Sequence, residues 1–434
     1  MLGVSAAGPV GPTRPIEPIS PEPPGQPSRS AERDAWAVLA GVDGLGPVGF
    51  NALLRRYRTG VAILEEATSP GGIERLAAIR PDDGRDEADP ATQRRLPETV
   101  AQAIADAAHH AGHTLARLDD LGLQIVTTVD DLYPSRLAAI DMPPHVLFVL
   151  GDPLALEARS TIAIVGTRRA TDAGRATAAR LATALVSVRS TVVSGLATGI
   201  DGAAHAATIH AKGTTVAVIG SGHAALFPRI HKRLARSIVD AGGAIVSELA
   251  PDIRPTHGTF PRRNRVISGL ADATVVVEAP ARSGALITAS WALEQGRDCF
   301  LVPGPIDAPA SAGCLAFLRE FAGTARIVAG IPQLIDDLGL AGRLAEPGVP
   351  DTAAATLVEV GEAAGRIGRE VLRGRATVDE LVAVTGWPVA SVLTALTMLE
   401  RHGLVVGIHG RFRASGPLAG ADPSRVRRRP SARV

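Results

Sequence analysis

The 434-residue chain is poor in three kinds of residue, and each shortage narrows the class of protein it can be. Cysteine occurs only at Cys299 and Cys314, which argues against a disulfide framework and for a reducing compartment. No cluster of histidines and acids accompanies them, so we expect no metal site. Lysine occurs only at Lys212 and Lys232, so arginine carries almost all the positive charge. Aromatic residues make up 3% of the chain.

Long apolar runs are also missing. Charged residues interrupt every stretch that could otherwise cross a bilayer, and the proline-rich N-terminus has no apolar segment of the signal-peptide type. We therefore expect a cytoplasmic protein without a membrane partner. The formal net charge is +1, so any surface that binds nucleic acid must be a local patch.

Composition and hydrophobic patterning predict several units along the chain. Prolines and small residues indicate disorder or linkers, whereas apolar periodicity indicates helices and strands. The expected units are a disordered N-terminal arm (1–33), a helical domain of the SAM or helix-hairpin-helix type (34–117), a Rossmann-like domain (118–340), a linker (341–370), a winged-helix domain (371–414) and a disordered basic tail (415–434). A polar, charged surface insertion is expected at 81–97.

The central unit is predicted to be a doubly wound α/β domain. Its strand patterns are apolar throughout, which indicates burial on both faces and hence a parallel sheet with helices on each side. A ligand is then expected at the carboxyl ends of the strands. The predicted strands are 124–127, 161–166, 191–194, 214–219, 244–247, 274–278 and 299–302, and the predicted helices include 173–186, 200–211, 230–241 and 285–295.

The flanking units carry weaker signals. The glycine-rich turn at 42–49 fits a helix-hairpin-helix whose amides hold a DNA phosphate, and fits a plain helical-bundle turn equally well. Near the C-terminus, Thr377 and Glu380 form a capping-box pattern before a helix, and a second amphipathic helix is predicted at 389–402. A short two-stranded return follows, which is typical of a winged helix.

The first candidate binding segment follows the predicted strand 161–166. Gly166 and Thr167 form a close turn, Arg168 can reach an anion there, and the helix that begins near Thr171 offers backbone amides. A generic strand-to-helix turn explains this segment equally well. The second glycine of the dinucleotide fingerprint is missing, so a nicotinamide cofactor and oxidoreductase chemistry are disfavoured.

The second candidate segment consists of Ser194 and Gly195 at the end of strand 191–194, expected to face the first turn across the sheet. Asp201 and His205 share one face of the helix that follows. No nucleophile accompanies them, so we assign no catalytic residue. We expect Asp201 to cap or charge the helix start and His205 to pack beneath the loop.

The third candidate segment gives the strongest signal of a binding site. His257, Phe260, Arg262, Asn264 and Arg265 crowd one helix start. Arginine forms bidentate contacts with phosphate, and base stacking on an aromatic ring contributes roughly 1–3 kcal/mol. Phe260 lies among arginines at the edge of the sheet where a ligand is expected. This combination favours nucleic-acid binding over a charged surface that only contacts solvent.

A fourth segment contains Ser283 and Gly284 at a helix start, which could add amide donors to the same pocket. Glu278, at the end of the preceding strand, is expected to hold Arg262 or Arg265 in a structural salt bridge.

These segments, in this order, resemble the DNA-processing protein A (DprA/Smf) family. The family pattern has Gly-Ser/Thr-Arg, Val-Ser-Gly leading to Gly-Ile-Asp and His, Phe-x-x-Arg-Asn-Arg, Ser-Gly-x-Leu-Ile-Thr-Ala and Val-Pro-Gly. The matching positions are 166–171, 193–205, 260–270, 278–289 and 302–304. The chain departs from the pattern at His257, Leu315 and Phe321, where the family often has a basic residue, Asn and Gly.

The resemblance implies a protein that binds single-stranded DNA, dimerises through the Rossmann-like domain, protects incoming strands and loads the RecA recombinase during natural transformation or homologous recombination. It implies no cofactor. The family's DNA-pocket positions fall here on Arg168, Ser194, Gly195, Phe260, Arg262, Asn264 and Arg265.

Two other functions compete with this one. Nucleotide or phosphoribosyl hydrolases of the lysine-decarboxylase-like type share the fold, but their catalytic acid has no counterpart just after 283–289; Glu278 keeps this alternative open. A transcription regulator would need a basic recognition helix. The predicted one has Thr394, Thr397 and only Arg401, which is poor for groove reading. We therefore expect a binding protein rather than an enzyme.

Overall fold

A computed structural model describes residues 28–80, 95–341, 357, 360–408, 410–415 and 418. Its first unit is helical. The helices are α1 (Arg29–Ala40), α2 (Pro47–Tyr57), α3 (Gly60–Thr68), α4 (Gly72–Ala77), α5 (Glu98–His109) and α6 (Ala111–Asp120). Helix α1 begins inside the segment predicted to be disordered, because the side chain of Ser28 caps it by accepting from the Ala31 amide. The rest of the predicted arm and most of the predicted insertion lie outside the described residues.

The helical unit shares its core with the sheet. Trp36, Leu39 and Leu53 pack in the same buried cluster as Val146 and Phe148, which belong to a strand. The helical unit is therefore fixed against one edge of the Rossmann-like domain rather than joined to it only through the chain.

In the described part of the chain, nine strands form one sheet in the order β1-β2-β6-β5-β4-β3-β7-β8-β9. They are β1 (Gln124–Thr127), β2 (Val146–Gly151), β3 (Thr161–Val165), β4 (Thr191–Ser194), β5 (Thr215–Val218), β6 (Ala244–Ser247), β7 (Ala273–Val276), β8 (Asp298–Leu301) and β9 (Ala325–Ile327). Strands β3 to β9 are parallel, and the parallel arrangement of β3 to β8 was predicted. The patterns missed β2 and β9, and β1 and β2 extend the sheet antiparallel to their neighbours.

Helices cover both faces of this sheet. They are α7 (Ser135–Ala138), α8 (Asp172–Ser187), α9 (Ile200–His210), α10 (Lys232–Asp240), α11 (Thr259–Gly269), α12 (Gly284–Glu294), α13 (Ala312–Glu320) and α14 (Ile331–Asp337). Along β3, Ala163 and Val165 pack in one buried cluster and Ile162 and Ile164 in another. The continuous apolar pattern of β3 thus reflects burial on both faces, which confirms the predicted doubly wound fold.

The chain reverses its direction of travel across the sheet between β3 and β7. Successive strands β3 to β6 lie on one side of this point and β7 to β9 on the other. The turns that follow β3 and β7 are neighbours: the Thr167 amide donates to the Glu278 carbonyl at 2.7 Å. In sheets of this type, ligands bind in the crevice at the carboxyl edge of such a reversal.

The C-terminal unit consists of α15 (Glu362–Leu372), α16 (Val378–Thr385), α17 (Val389–Arg401) and the hairpin β10 (Val405–Ile408) and β11 (Arg411–Ala414). The predicted capping box of Thr377 and Glu380 is present. Helix α15 lies largely in the segment predicted to be a linker, yet Ile367 packs with Leu399 in the core of this unit. Residues 342–356 of that segment, and 419–434 of the predicted tail, lie outside the described residues.

The C-terminal unit is docked at the amino edge of the sheet. Arg413 donates to Asp298 at 2.8 Å and to the Leu338 carbonyl at 3.1 Å. Asp298 begins β8, so the contact lies at the end of the sheet opposite the crevice described above.

Candidate nucleic-acid site

The turn after β3 presents Arg168 to solvent at the carboxyl edge. Its guanidinium carbon lies 5.0 Å from the centroid of the Phe260 ring, which is within the range of a cation–π contact. Phe260 is half-buried at the start of α11. The structure therefore brings the first and third predicted segments together at one point.

Among the described residues Glu278 pairs with no arginine, so the prediction that it holds Arg262 or Arg265 was wrong. Its carboxylate accepts from the Thr171 amide at 3.0 Å and from the Thr171 hydroxyl at 2.5 Å, at the start of α8. A Cβ on Gly174 would lie 2.3 Å from the Glu278 carboxyl carbon, so a larger residue there would displace that carboxylate. The helix start that we expected to attract a phosphate is already neutralised by a carboxylate of the chain itself.

Arg262 and Arg265 pair instead with Glu248, which directly follows β6. Arg265 is buried with Glu248, whereas the Arg262 side chain is 45% exposed and its Nε lies 3.6 Å from the Glu248 carboxylate. Burial lowers the pKa of Arg265, and the Glu248 carboxylate opposes that shift. Of the two arginines, Arg262 is the one presented to an incoming ligand.

The second predicted segment forms the floor of the crevice. Ser194 is fully buried and donates to the Ile164 carbonyl at 2.6 Å, which ties β4 to β3. The Gly195 amide donates to the Asp201 carboxylate at 3.1 Å. The Gly195 carbonyl accepts from the Arg263 guanidinium at 2.9 Å.

Arg263 is a residue of this crevice that the sequence analysis did not select. It is buried on α11, and a Cβ on Gly195 would lie 2.8 Å from its Nη2 and 2.9 Å from the Asp201 carboxylate. Burial lowers the pKa of Arg263 to about 10; the Asp201 carboxylate opposes this shift and the charge of Arg168 adds to it. The guanidinium still carries its charge at neutral pH, so the crevice has a cation beneath it.

Asp201 and His205 are both buried on α9. Asp201 accepts from loop amides at the helix start, and burial raises its pKa while the charge of Arg263 opposes that rise. His205 Nδ1 lies 2.7 Å from the Thr215 hydroxyl, and burial lowers the pKa of its ring to about 3. Asp201 therefore supplies a charge in the first turn of α9, one of the two roles predicted for it, and His205 is buried against Thr215 at the start of β5.

The remaining candidates lie around the rim. Asn264 donates to the Gly284 carbonyl at 3.0 Å, which joins α11 to the start of α12. Ser283 caps α12 through the Ala285 amide, and His257 is exposed just before α11. The structure therefore places these residues near the crevice.

Phe227 is a second aromatic at the site that the sequence reading did not select. Its ring centroid lies 5.8 Å from that of Phe260, and the side chain is 43% exposed. An isolated Phe before Pro228 carries no sequence signal for binding. The fold, by bringing the loop after β5 against the start of α11, is what makes it part of the site.

Within the described ranges, no group of three or more His, Cys, Asp or Glu side chains is arranged to hold a metal ion. There too, no single helix is long and apolar enough to cross a membrane, although α16 and α17, bent by 116°, pass that test as a pair. Cys299 and Cys314 are free and buried.

Two family models match the chain. The model of DNA recombination-mediator protein A matches residues 124–339, and a DprA winged-helix model matches residues 364–411. The second match includes most of α15, in agreement with its packing.

Curated proteins and a solved structure show the same relationship. Protein Smf of Escherichia coli K12 is 35% identical over 305 residues, covering 69% of this chain and 79% of that protein. A putative DNA processing protein DprA of Mycobacterium tuberculosis is 38% identical over 330 residues, covering 70% of this chain and 83% of that protein. The X-ray structure of DNA processing protein A from Streptococcus pneumoniae superposes with a TM-score of 0.55 at 27% identity, covering 70% of this chain and 97% of the other.

Proposed function

The chain belongs to the DNA recombination-mediator protein A (DprA/Smf) family, and from that premise we propose that it binds single-stranded DNA at the carboxyl edge of its sheet. The observation that carries this proposal is the contact between Arg168 and Phe260, 5.0 Å apart in the crevice. It offers a cation for a phosphate and a ring face for a base. Such a pair recognises features that every nucleotide has, so we expect little sequence preference.

Single strands are favoured over duplex by the placement of the rings. Phe260 is half-buried, and Phe227 lies against it. A base can reach these rings only when it is unstacked from its neighbours, which a single strand allows at low cost. The exposed guanidiniums of Arg168 and Arg262 then face the backbone of the same strand.

Nucleotide hydrolysis is the weaker reading. Glu278 is the residue that could serve as the catalytic acid of a hydrolase, but both of its carboxylate oxygens accept hydrogen bonds from Thr171. We propose a binding protein that dimerises, protects single strands and hands them to the RecA recombinase in transformation or recombination. The dimerisation and the handover rest on the family relationship, and filament assembly by RecA on strands covered with this protein tests the latter.

Binding itself is tested by fluorescence anisotropy with labelled single-stranded and duplex DNA of one sequence, at two salt concentrations. Phe260→Ala is expected to weaken single-strand binding by about 5- to 150-fold, which corresponds to ~1–3 kcal/mol of stacking. Arg168→Ala is expected to weaken it by about tenfold or more, through loss of a charge-assisted contact, and to reduce the salt slope by about 0.7. Arg262→Ala should cost less, because Glu248 already partly neutralises Arg262.

Arg180→Ala is the matched control, since Arg180 is an exposed arginine on α8 that hydrogen-bonds only locally, to Thr177 at 3.2 Å. It should bind like the wild type. Duplex preference, or single-strand binding that none of the crevice variants changes, would place the DNA elsewhere and refute the pocket.

A further inference from the structure

A second positively charged cavity lies on the helical unit, away from the crevice. Its volume is about 820 Å³, and residues of α2, α3 and α4 and the chain that follows α4 line it. Its charged lining consists of four arginines and a single carboxylate: Arg55, Arg56, Arg75, Arg80 and Glu66. Glu66 is paired with Arg75 at 2.6 Å, so it neutralises one of the four. Arg56 and Arg80 are both exposed and supply the accessible positive charge of the cavity.

The cavity also contains an aromatic ring. Tyr57 is half-buried in its wall, and the Arg56 guanidinium carbon lies 5.9 Å from the centroid of that ring. An exposed arginine beside an aromatic face is the combination that Arg168 and Phe260 form in the crevice. It suits the same ligand chemistry, a phosphate next to a planar base.

Helix α2 connects this cavity to the crevice. Asn51 lines the cavity, and its side-chain oxygen lies 3.1 Å from His145 Nε2. His145 in turn lines a groove of about 380 Å³ between the helical unit and the Rossmann-like domain, and Thr259 and Arg262 line the same groove. Arg262 is the exposed arginine of the crevice, so the groove leads from one cationic site towards the other.

The groove itself carries no excess charge. Its lining includes two positively charged side chains, Arg254 and Arg262, and two negatively charged ones, Asp43 and Glu248. A strand that follows the groove therefore gains electrostatic binding energy only where it reaches the cavity. This predicts two separate contacts on one strand instead of a uniform basic track.

We propose that this cavity binds the phosphodiester backbone of a second stretch of the same single strand that occupies the crevice. The inference rests on the proposed function, which supplies the first contact. Simultaneous contact at both sites turns the second binding event into an intramolecular one, so affinity rises once a strand is long enough to span them.

The test compares single strands of increasing length, from one that fills only the crevice upwards, on the wild type and on Arg56→Glu. The wild type should bind more tightly once the strand reaches the cavity. Arg56→Glu should weaken the long strand by about tenfold and lower its salt slope by about 0.7, while binding the short strand like the wild type. Arg80→Glu should behave in the same way.

Arg58→Glu is the control, because Arg58 is exposed immediately after α2 but does not line the cavity. A loss of long-strand affinity in Arg58→Glu equal to that in Arg56→Glu would show a general charge effect and overturn the proposal. Equal weakening of short and long strands by Arg56→Glu would overturn it too, since the cavity would then not be a separate contact.

Two further outcomes separate the cavity from the crevice. Wild-type binding that is tight but independent of strand length overturns the cavity contact and leaves the proposed function standing. No binding at any length overturns the proposed function, and the cavity contact with it. Titration with inorganic phosphate distinguishes a site for the free anion: Arg56-dependent phosphate binding without any effect on long strands would also refute the proposal.

Discussion

Glu278 and Gly174 should be energetically coupled, because the effect of Gly174→Ala on stability should change sign when Glu278 is absent. Replacing Glu278 by Ala removes two hydrogen bonds to Thr171 and the negative charge at the start of α8. Hydrogen bonds to charged groups contribute about 1.5–3 kcal/mol and a charge at a helix start about 0.3–1 kcal/mol. Because the terms overlap, we expect a loss of about 3 kcal/mol for Glu278→Ala and about 1 kcal/mol for Glu278→Gln, which keeps the shape.

Gly174→Ala should destabilise the wild type, since the new Cβ would lie 2.3 Å from the Glu278 carboxyl carbon. In the Glu278→Ala background that clash is absent, and alanine is the better helix former by about 1 kcal/mol. Adding Gly174→Ala to the Glu278→Ala variant should therefore stabilise it. A reversal of sign of this kind is a direct measure of the contact between the two residues.

The assay is thermal unfolding followed by circular dichroism. For a unit of this size, 1 kcal/mol shifts Tm by about 2–4 °C, so Glu278→Ala should lower Tm by about 6–12 °C. Glu294→Ala, an exposed acid on α12, is the control and should leave Tm nearly unchanged. An unchanged or raised Tm in Glu278→Ala would refute the capping role and favour a catalytic acid, because active-site residues often cost stability.

Two further predictions concern stability. The folded-state pKa of His205, about 3, lies below the value of about 6.5 for an exposed histidine, so its contribution to stability is present above pH 6.5 and lost as the pH falls. Between pH 8 and pH 5 the free energy of unfolding of the wild type, measured with denaturant, should fall by about 2 kcal/mol because of His205. His205→Gln should show a shallower pH dependence. An equally steep dependence would contradict the burial of a neutral His205. Arg413→Ala leaves the buried Asp298 without its arginine, so the winged helix should unfold in a separate, earlier calorimetric transition; one unshifted transition would show that this contact does not hold the unit in place.

The parallel part of the fold was predictable because β3 to β8 are short, continuously apolar and separated by helical patterns. Strand β2 is equally apolar, but it follows two prolines and pairs with a neighbour in the antiparallel sense, so the βα alternation did not include it. Strand β9 has three residues and one exposed position, which is too little signal to separate it from a loop.

That the candidate segments meet at one edge of the sheet was predictable from the sequence, but the hydrogen-bond partners of their side chains were less so. The glycine turns and the Arg-rich helix start all reach the carboxyl edge, as the strand assignments require. The spacing along the chain could not predict which group each glutamate would bind. Glu248 and Glu278 both lie just after strands, and only the order of the strands in the sheet decides that Glu248 faces α11 and Glu278 faces α8. Arg263 and Arg262 are adjacent in sequence, and helix phase alone buries one and exposes the other. The domain boundaries stay predictions.

The docking of the winged helix on the amino edge has a consequence for simultaneous occupancy. The strands that separate Asp298 from the crevice are about four residues long, which puts roughly 13 Å of sheet between the two surfaces. A strand held by Arg168 and Phe260 therefore does not compete for space with a molecule seated on the winged helix. In the proposed complex, a strand at the carboxyl edge leaves the winged-helix surface at the amino edge uncovered.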